Sequence, residues 1–144
     1  MHLNVIIAAI LMVATTGIHA GGMMLALSTV ERQRGDLKQR LRRTRIYWIS
    51  GIVLLMFLVS LVEVLLWAVT YLALDAIQGY EQALYFSMVT YTTLGYGDVV
   101  LEEGRRLLAS FEAANGIIMF GWTTALAVAV VQRVYLKART QQAS

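Results

Sequence analysis

Three runs of this chain, residues 3–30, 46–74 and 107–131, carry at most one carboxylate each, and each is longer than the roughly 20 apolar residues that take a helix across a bilayer. In hydrocarbon every backbone N–H and C=O must find its partner within the segment, so such runs fold as spanning helices. With 58% of its 144 residues hydrophobic and 15% charged, the chain reads as one all-α membrane module without a separate soluble domain. It has no cysteine, which excludes thiol catalysis, disulfides and thiolate metal sites, and no proline to kink a helix. A cleaved signal is the competing reading of the first run. Against it, no Lys or Arg precedes the apolar core, and Ile18 is bulky where a small residue is wanted before Ala20. A transmembrane helix over residues 1–30 is expected, with Gly17, Ala20, Gly21 and Gly22 making one side small enough for close packing.

Charge sets the expected orientation. Seven of the twelve basic residues, Arg32, Arg34, Lys38, Arg40, Arg42, Arg43 and Arg45, crowd into the loop 31–45, and Arg133, Lys137 and Arg139 follow the last run. Both clusters are cytoplasmic by the positive-inside rule, which puts the N-terminus outside and the tail 136–144 inside a plasma (inner) membrane. The 31–45 loop also offers a surface to anionic lipid headgroups, although topology alone accounts for it. A voltage sensor is disfavoured, since sensing arginines lie within the membrane and the first run has none. Tyr47 and Trp48 at the inner interface, with Trp67 and Tyr71 toward the outer one, read as aromatic belts.

Between the second and third runs, residues 80–92 are apolar but, at about 13 residues, too short to cross. A half-helix buried in protein is expected, with the negative end of its dipole favouring a cation. Thr92-Thr93-Leu94-Gly95-Tyr96-Gly97-Asp98 follows. Gly95 and Gly97 reach positive φ at little steric cost, so a strand here can alternate between right- and left-handed conformations and turn successive carbonyls to one side. Four such strands around an axis stack rings of carbonyl oxygens, with the Thr93 hydroxyl adding another, and such rings replace the water around a potassium ion. The alternative is a surface turn between two helices. Val99 to Gly104, with Glu102 and Glu103, then reads as an exposed acidic turret.

The heptapeptide resembles the selectivity-filter signature of potassium channels, Thr-Val/Ile-Gly-Tyr-Gly-Asp, with Leu94 at the aliphatic position. The order helix, half-helix, filter, helix over residues 46–135 is similar to the two-transmembrane-plus-pore-loop module of small prokaryotic potassium channels. That resemblance implies an outer helix 46–74, a pore helix 80–92, a filter 93–98 and an inner helix 105–135. It also implies a homotetramer, because one chain supplies one filter strand and an open backbone edge is not left in lipid. Potassium would be held at Thr93, Leu94, Gly95 and Tyr96, with Gly97 completing the strand. Thr92, Asp98 and Tyr85 would support it, Tyr85 and Phe86 standing where relatives often carry Trp-Trp. Gly116 and Gly121 match the gating hinge of the inner helix. Val89 replaces a glutamate found in some relatives, so the filter inactivation tied to that residue is not implied. The N-terminal helix is extra to the minimal module. Passive potassium conduction is the implied function, with K+ as permeant ion and no cofactor, nucleic acid or small-molecule substrate. The alternatives are a weakly selective monovalent cation channel, which the intact Gly-Tyr-Gly disfavours, and a non-conducting membrane scaffold.

The ionisable residues give an enzyme little to work with. His2 and His19 are separate, Glu63 and Glu112 have no partner in sequence, and Gly95-x-Gly97 lacks a P-loop lysine. At about 1.5 Å per residue, Glu63 and Glu112 lie roughly 27 and 31 Å from the inner edge and can meet. His19, at about 18 Å, needs substantial tilt to reach Glu63. Glu112 is expected to pack behind the filter and prop it in place of the carboxyl that Val89 does not provide, with Asn115 or Tyr91 as partner. A carboxylate snorkelling to the outer interface is the other reading.

Overall fold

The computed structural model describes residues 2–32 and 42–135. Most of the basic loop and the tail 136–144 lie outside the described residues, and with them the expected lipid-headgroup surface. Among the described residues four helices follow one another: α1 (His2–Arg32), α2 (Arg42–Ala73), α3 (Tyr80–Tyr91) and α4 (Arg106–Tyr135). Three are long and apolar enough to cross a membrane, the most apolar 18 residues within His2–Arg32, Ile46–Ala73 and Arg106–Gln132 having mean hydropathies of 1.9, 2.8 and 1.7. Helix α3 has 12 residues, about 18 Å of rise, and cannot. It packs on α2 and α4, and α1 packs on the same two helices. Helix α2 begins at Arg42, inside the stretch expected as loop, since arginine is a good helix former and does not end a helix.

The buried residues of α1 are Ala8, Leu11, Thr15, His19, Gly22, Ala26 and Val30, a stripe at spacings of three and four that keeps to one face. Of the three glycines on the expected small side, Gly22 alone faces a neighbour: a Cβ there would stand 2.7 Å from Val59 Cγ2, whereas one on Gly17 or Gly21 would meet nothing within 4 Å. Gly22 against Val59 and His19 against Glu63 fix the antiparallel register of α1 and α2. In that register Glu31 is level with residue 51 rather than Arg45, an offset of about 9 Å. The expected 9 Å gap between His19 and Glu63 is thereby closed without tilt.

The interior has two apolar clusters. One joins Leu11, Val64, Trp67, Tyr71, Phe86, Tyr91 and Leu108, and the other joins Ala26, Val30, Ile52, Met56, Leu126 and Val130. Between them lies a layer of buried polar side chains, including Thr15, His19, Ser60, Glu63 and Asn115. Trp67 and Tyr71 are fully buried, which corrects their reading as an outer belt: Tyr71 packs edge-on against Phe86 at 5.1 Å, inside the bundle.

Helix α4 touches the end of α3 at one glycine. A Cβ on Gly116 would lie 2.0 Å from the Tyr91 carbonyl oxygen, a backbone atom that cannot swing aside. Gly116→Ala is therefore expected to destabilise the chain by about 3 kcal/mol, while Gly51→Ala, with nothing within 4 Å, should do no harm. Thermal unfolding in detergent micelles checks both.

Candidate functional site

The site begins where α3 stops. Thr92 caps the helix, its N–H reaching the Met88 carbonyl at 3.1 Å and its hydroxyl the same oxygen at 2.7 Å. The Thr93 N–H then donates to Thr90 O at 2.9 Å, and the Leu94 and Gly95 N–H groups both donate to Val89 O, at 2.9 and 3.3 Å. The chain thus folds back under the last turn and satisfies carbonyls that a helix end leaves open. Backbone φ is 59° at Thr93, 56° at Gly95 and 80° at Gly97, so every second residue of the loop is left-handed. The glycines were the expected sites of this alternation. Thr93 extends it by one step, at roughly 1–2 kcal/mol for a residue with a Cβ.

Residues 92–98 are all exposed in the single chain, Tyr96 at 67%. Their far end is tied to α3 by the Tyr85 hydroxyl, which donates to Asp98 Oδ2 at 2.7 Å. A cavity of about 280 Å³ separates loop from helices, lined by Tyr85, Val89, Gly95, Asp98 and Arg106 among others. The Tyr85 hydrogen bond holds the Asp98 carboxyl below its ordinary value. A lowered carboxyl pKa means that the tie is fully present above pH of about 4 and is lost as pH falls through the folded-state value. Tyr85→Phe should raise the Asp98 titration toward that of a free carboxylate, measured by NMR on protein labelled at aspartate.

Behind α3 two carboxylates are buried, and they do not share partners. Glu112 Oε2 accepts from the Tyr71 hydroxyl at 2.6 Å, and its Oε1 lies 2.5 Å from Ser87 Oγ on α3. The expected partners, Asn115 and Tyr91, turn elsewhere: Asn115 Nδ2 donates to Thr15 Oγ1 at 2.9 Å, and the Tyr91 hydroxyl donates to Glu63 Oε2. Glu112 has no exposure, which overturns the snorkelling reading. Ser87 Oγ also sits 2.8 Å from the Val64 carbonyl oxygen, which can only accept. One hydroxyl proton cannot serve both oxygens, so both contacts are hydrogen bonds when Glu112 is a carboxylic acid donating to Ser87. A glutamine offers the same donor and acceptor. Glu112→Gln should keep the native unfolding midpoint in detergent, and Glu112→Ala, which leaves the Tyr71 hydroxyl unpaired, should cost about 1–3 kcal/mol.

Of the sequence-predicted residues, the structure brings Thr92 to Asp98 and Tyr85 together, sets Glu112 and Gly116 against α3, and leaves Gly121 apart with nothing within 4 Å. Tyr71, Ser87, Thr15 and Thr123 were not anticipated. Among the described residues no three His, Asp or Glu side chains gather into a metal site.

Three membrane-length helices and a short fourth that leads into a glycine-alternating loop make this a multi-pass membrane protein. The ion-channel family profile matches residues 47–133, more than half of the chain. The protein therefore belongs to the ion-channel family, a transport rather than an enzyme family. No curated protein and no solved structure matches it.

Proposed function

We propose that the chain is a potassium-selective channel built from four copies around one axis. The carbonyls of Thr93, Leu94, Gly95 and Tyr96 and the Thr93 hydroxyl are the ligands of the permeant ion. The observation that carries this reading is the left-handed φ at Thr93, Gly95 and Gly97, the alternation that turns successive carbonyls to one side. Family membership supports it, and so does the position of the loop at the negative end of the α3 dipole. An axis shared with other copies gives the exposed residues 92–98 the neighbours that lipid cannot. Asp98, Tyr85 and Glu112 support the loop from behind and above. Of the two hinge candidates, Gly116 is committed to its contact with Tyr91, and Gly121 has the room to bend. The N-terminus and the loop lie outside and both basic clusters inside, facing anionic lipid.

Potassium and sodium fluxes through the purified protein in liposomes test the reading. Potassium should pass in large excess over sodium, and Gly95→Ala should abolish the difference. Within one chain the added methyl meets no neighbour within 4 Å, so there it acts through the φ of 56°. Equal fluxes in the native protein would favour a weakly selective channel, no flux a scaffold, and selectivity surviving in Gly95→Ala would reject this filter.

A further inference from the structure

Helix α1 lies outside residues 47–133, yet it delivers the centre of the buried polar layer. His19 Nδ1 is 3.0 Å from Glu63 Oε1 on α2, and His19 Nε2 is 3.2 Å from Thr123 Oγ1 on α4. The other oxygen of Glu63 accepts from the Tyr91 hydroxyl. His19, Glu63 and Tyr91 all have no exposure. Tyr91 is the last residue of α3, with its ring edge-on to Phe120 at 5.6 Å and its carbonyl against Gly116. The next residue opens the loop. An unbroken chain of polar contacts therefore runs from α1 through α2 to the end of α3 from which residues 92–98 hang.

We propose that α1 is a built-in support for the conducting loop and that His19 is its positioning residue. The imidazole fixes one oxygen of Glu63, which aims the other at the Tyr91 hydroxyl and so sets where α3 ends. The contacts suit an imidazole because both ring nitrogens are used. Nδ1 meets the Glu63 carboxyl, and Thr123 can donate to Nε2 or accept from Nε2–H. The chain holds no Lys or Arg in residues 1–31, 46–104 or 107–132 that could replace it as partner to the carboxylate. Without His19 one oxygen of Glu63 loses its partner in an apolar surround, and the carboxyl turns to find another. That turn releases Tyr91. The proposal rests on residues 93–96 being the filter.

The test uses the full chain in liposomes and reads the ratio of potassium to sodium flux. Selectivity in the native protein is measured first, and its absence would reject the filter reading rather than the role of α1. With that established, His19→Ala should lower the ratio about tenfold. His19→Asn places an amide nitrogen at the position of Nδ1 and should restore most of it. Glu63→Gln combined with His19→Ala should be no worse than His19→Ala alone, because both act through one chain of contacts. Should His19→Ala fail to fold, Tyr91→Phe keeps the ring against Phe120, removes only the hydroxyl, and should lower the ratio similarly. A native ratio in a folded His19→Ala or in Tyr91→Phe, losses that add in the double variant, or no rescue by Asn would each overturn the proposal.

Discussion

Glu63 is the residue whose needs most constrain this bundle. A carboxyl at the centre of a membrane-spanning helix is tolerated only with partners, and both of its oxygens find them, His19 from α1 and Tyr91 from α3. Apolar packing alone does not set the register of helices in lipid, because a leucine is as well solvated by acyl chains as by another helix. Polar contacts do, since sliding α1 by one residue along α2 would turn His19 away from Glu63 and Thr15 from Asn115 together. Gly22 makes the same demand sterically, because Val59 fits only against a position without a Cβ. Two polar pairs and one glycine thus hold α1 in a single place on a surface otherwise permissive to sliding.

The second carboxyl works on a shorter range. Glu112 joins α4 to Tyr71 of α2 and Ser87 of α3, so three helices converge on one group. Ser87 passes the link to the Val64 carbonyl, one residue from Glu63. The two carboxyl clusters are therefore neighbours along α2 but hold α3 at different turns, at its middle through Ser87 and at its end through Tyr91. Pinning this short helix at two points fixes both its tilt and its rotation.

The spans, the short helix and the glycine loop were legible in the sequence because length and hydropathy decide them. The contacts were not. The outward side of α1 in the single chain is as apolar as the inward side, so no periodicity marks the stripe from Ala8 to Val30, and the glycines chosen by composition, Gly17 and Gly21, point away. Trp67 and Tyr71 followed the statistics of interfacial aromatics, but a Tyr hydroxyl with a carboxyl in reach belongs inside. Counting residues from Glu31 and Arg45 does not bring His19 to Glu63, because the Gly22–Val59 contact staggers the two helices. Thr15, Ser87 and Thr123 are each unremarkable in a membrane helix, where hydroxyls commonly bond their own backbone, as Thr15 also does to Leu11 O at 2.9 Å. Only the fold shows which of them also reach a neighbour.

The loop itself divides into held and unheld parts. Its first residues are shaped by α3, whose Val89 carbonyl takes two N–H groups and so helps to keep Thr93 in a conformation that a residue with a Cβ seldom adopts. Its last residue is held by Tyr85 through Asp98. The side chains between, Leu94 and Tyr96, are 55% and 67% exposed, and beyond the Gly95 N–H, which reaches Val89 O at 3.3 Å, no hydrogen bond among the described residues ties Tyr96 or Gly97 to another element. A segment fixed at both ends and open in the middle has room for contacts supplied from outside the chain. On the proposed reading those contacts are the same segment of other copies and the ion between them. On that reading the polar layer behind α3 fixes the helix end from which each strand starts, Tyr85 holds the far end through Asp98, and the middle is shaped by what it shares.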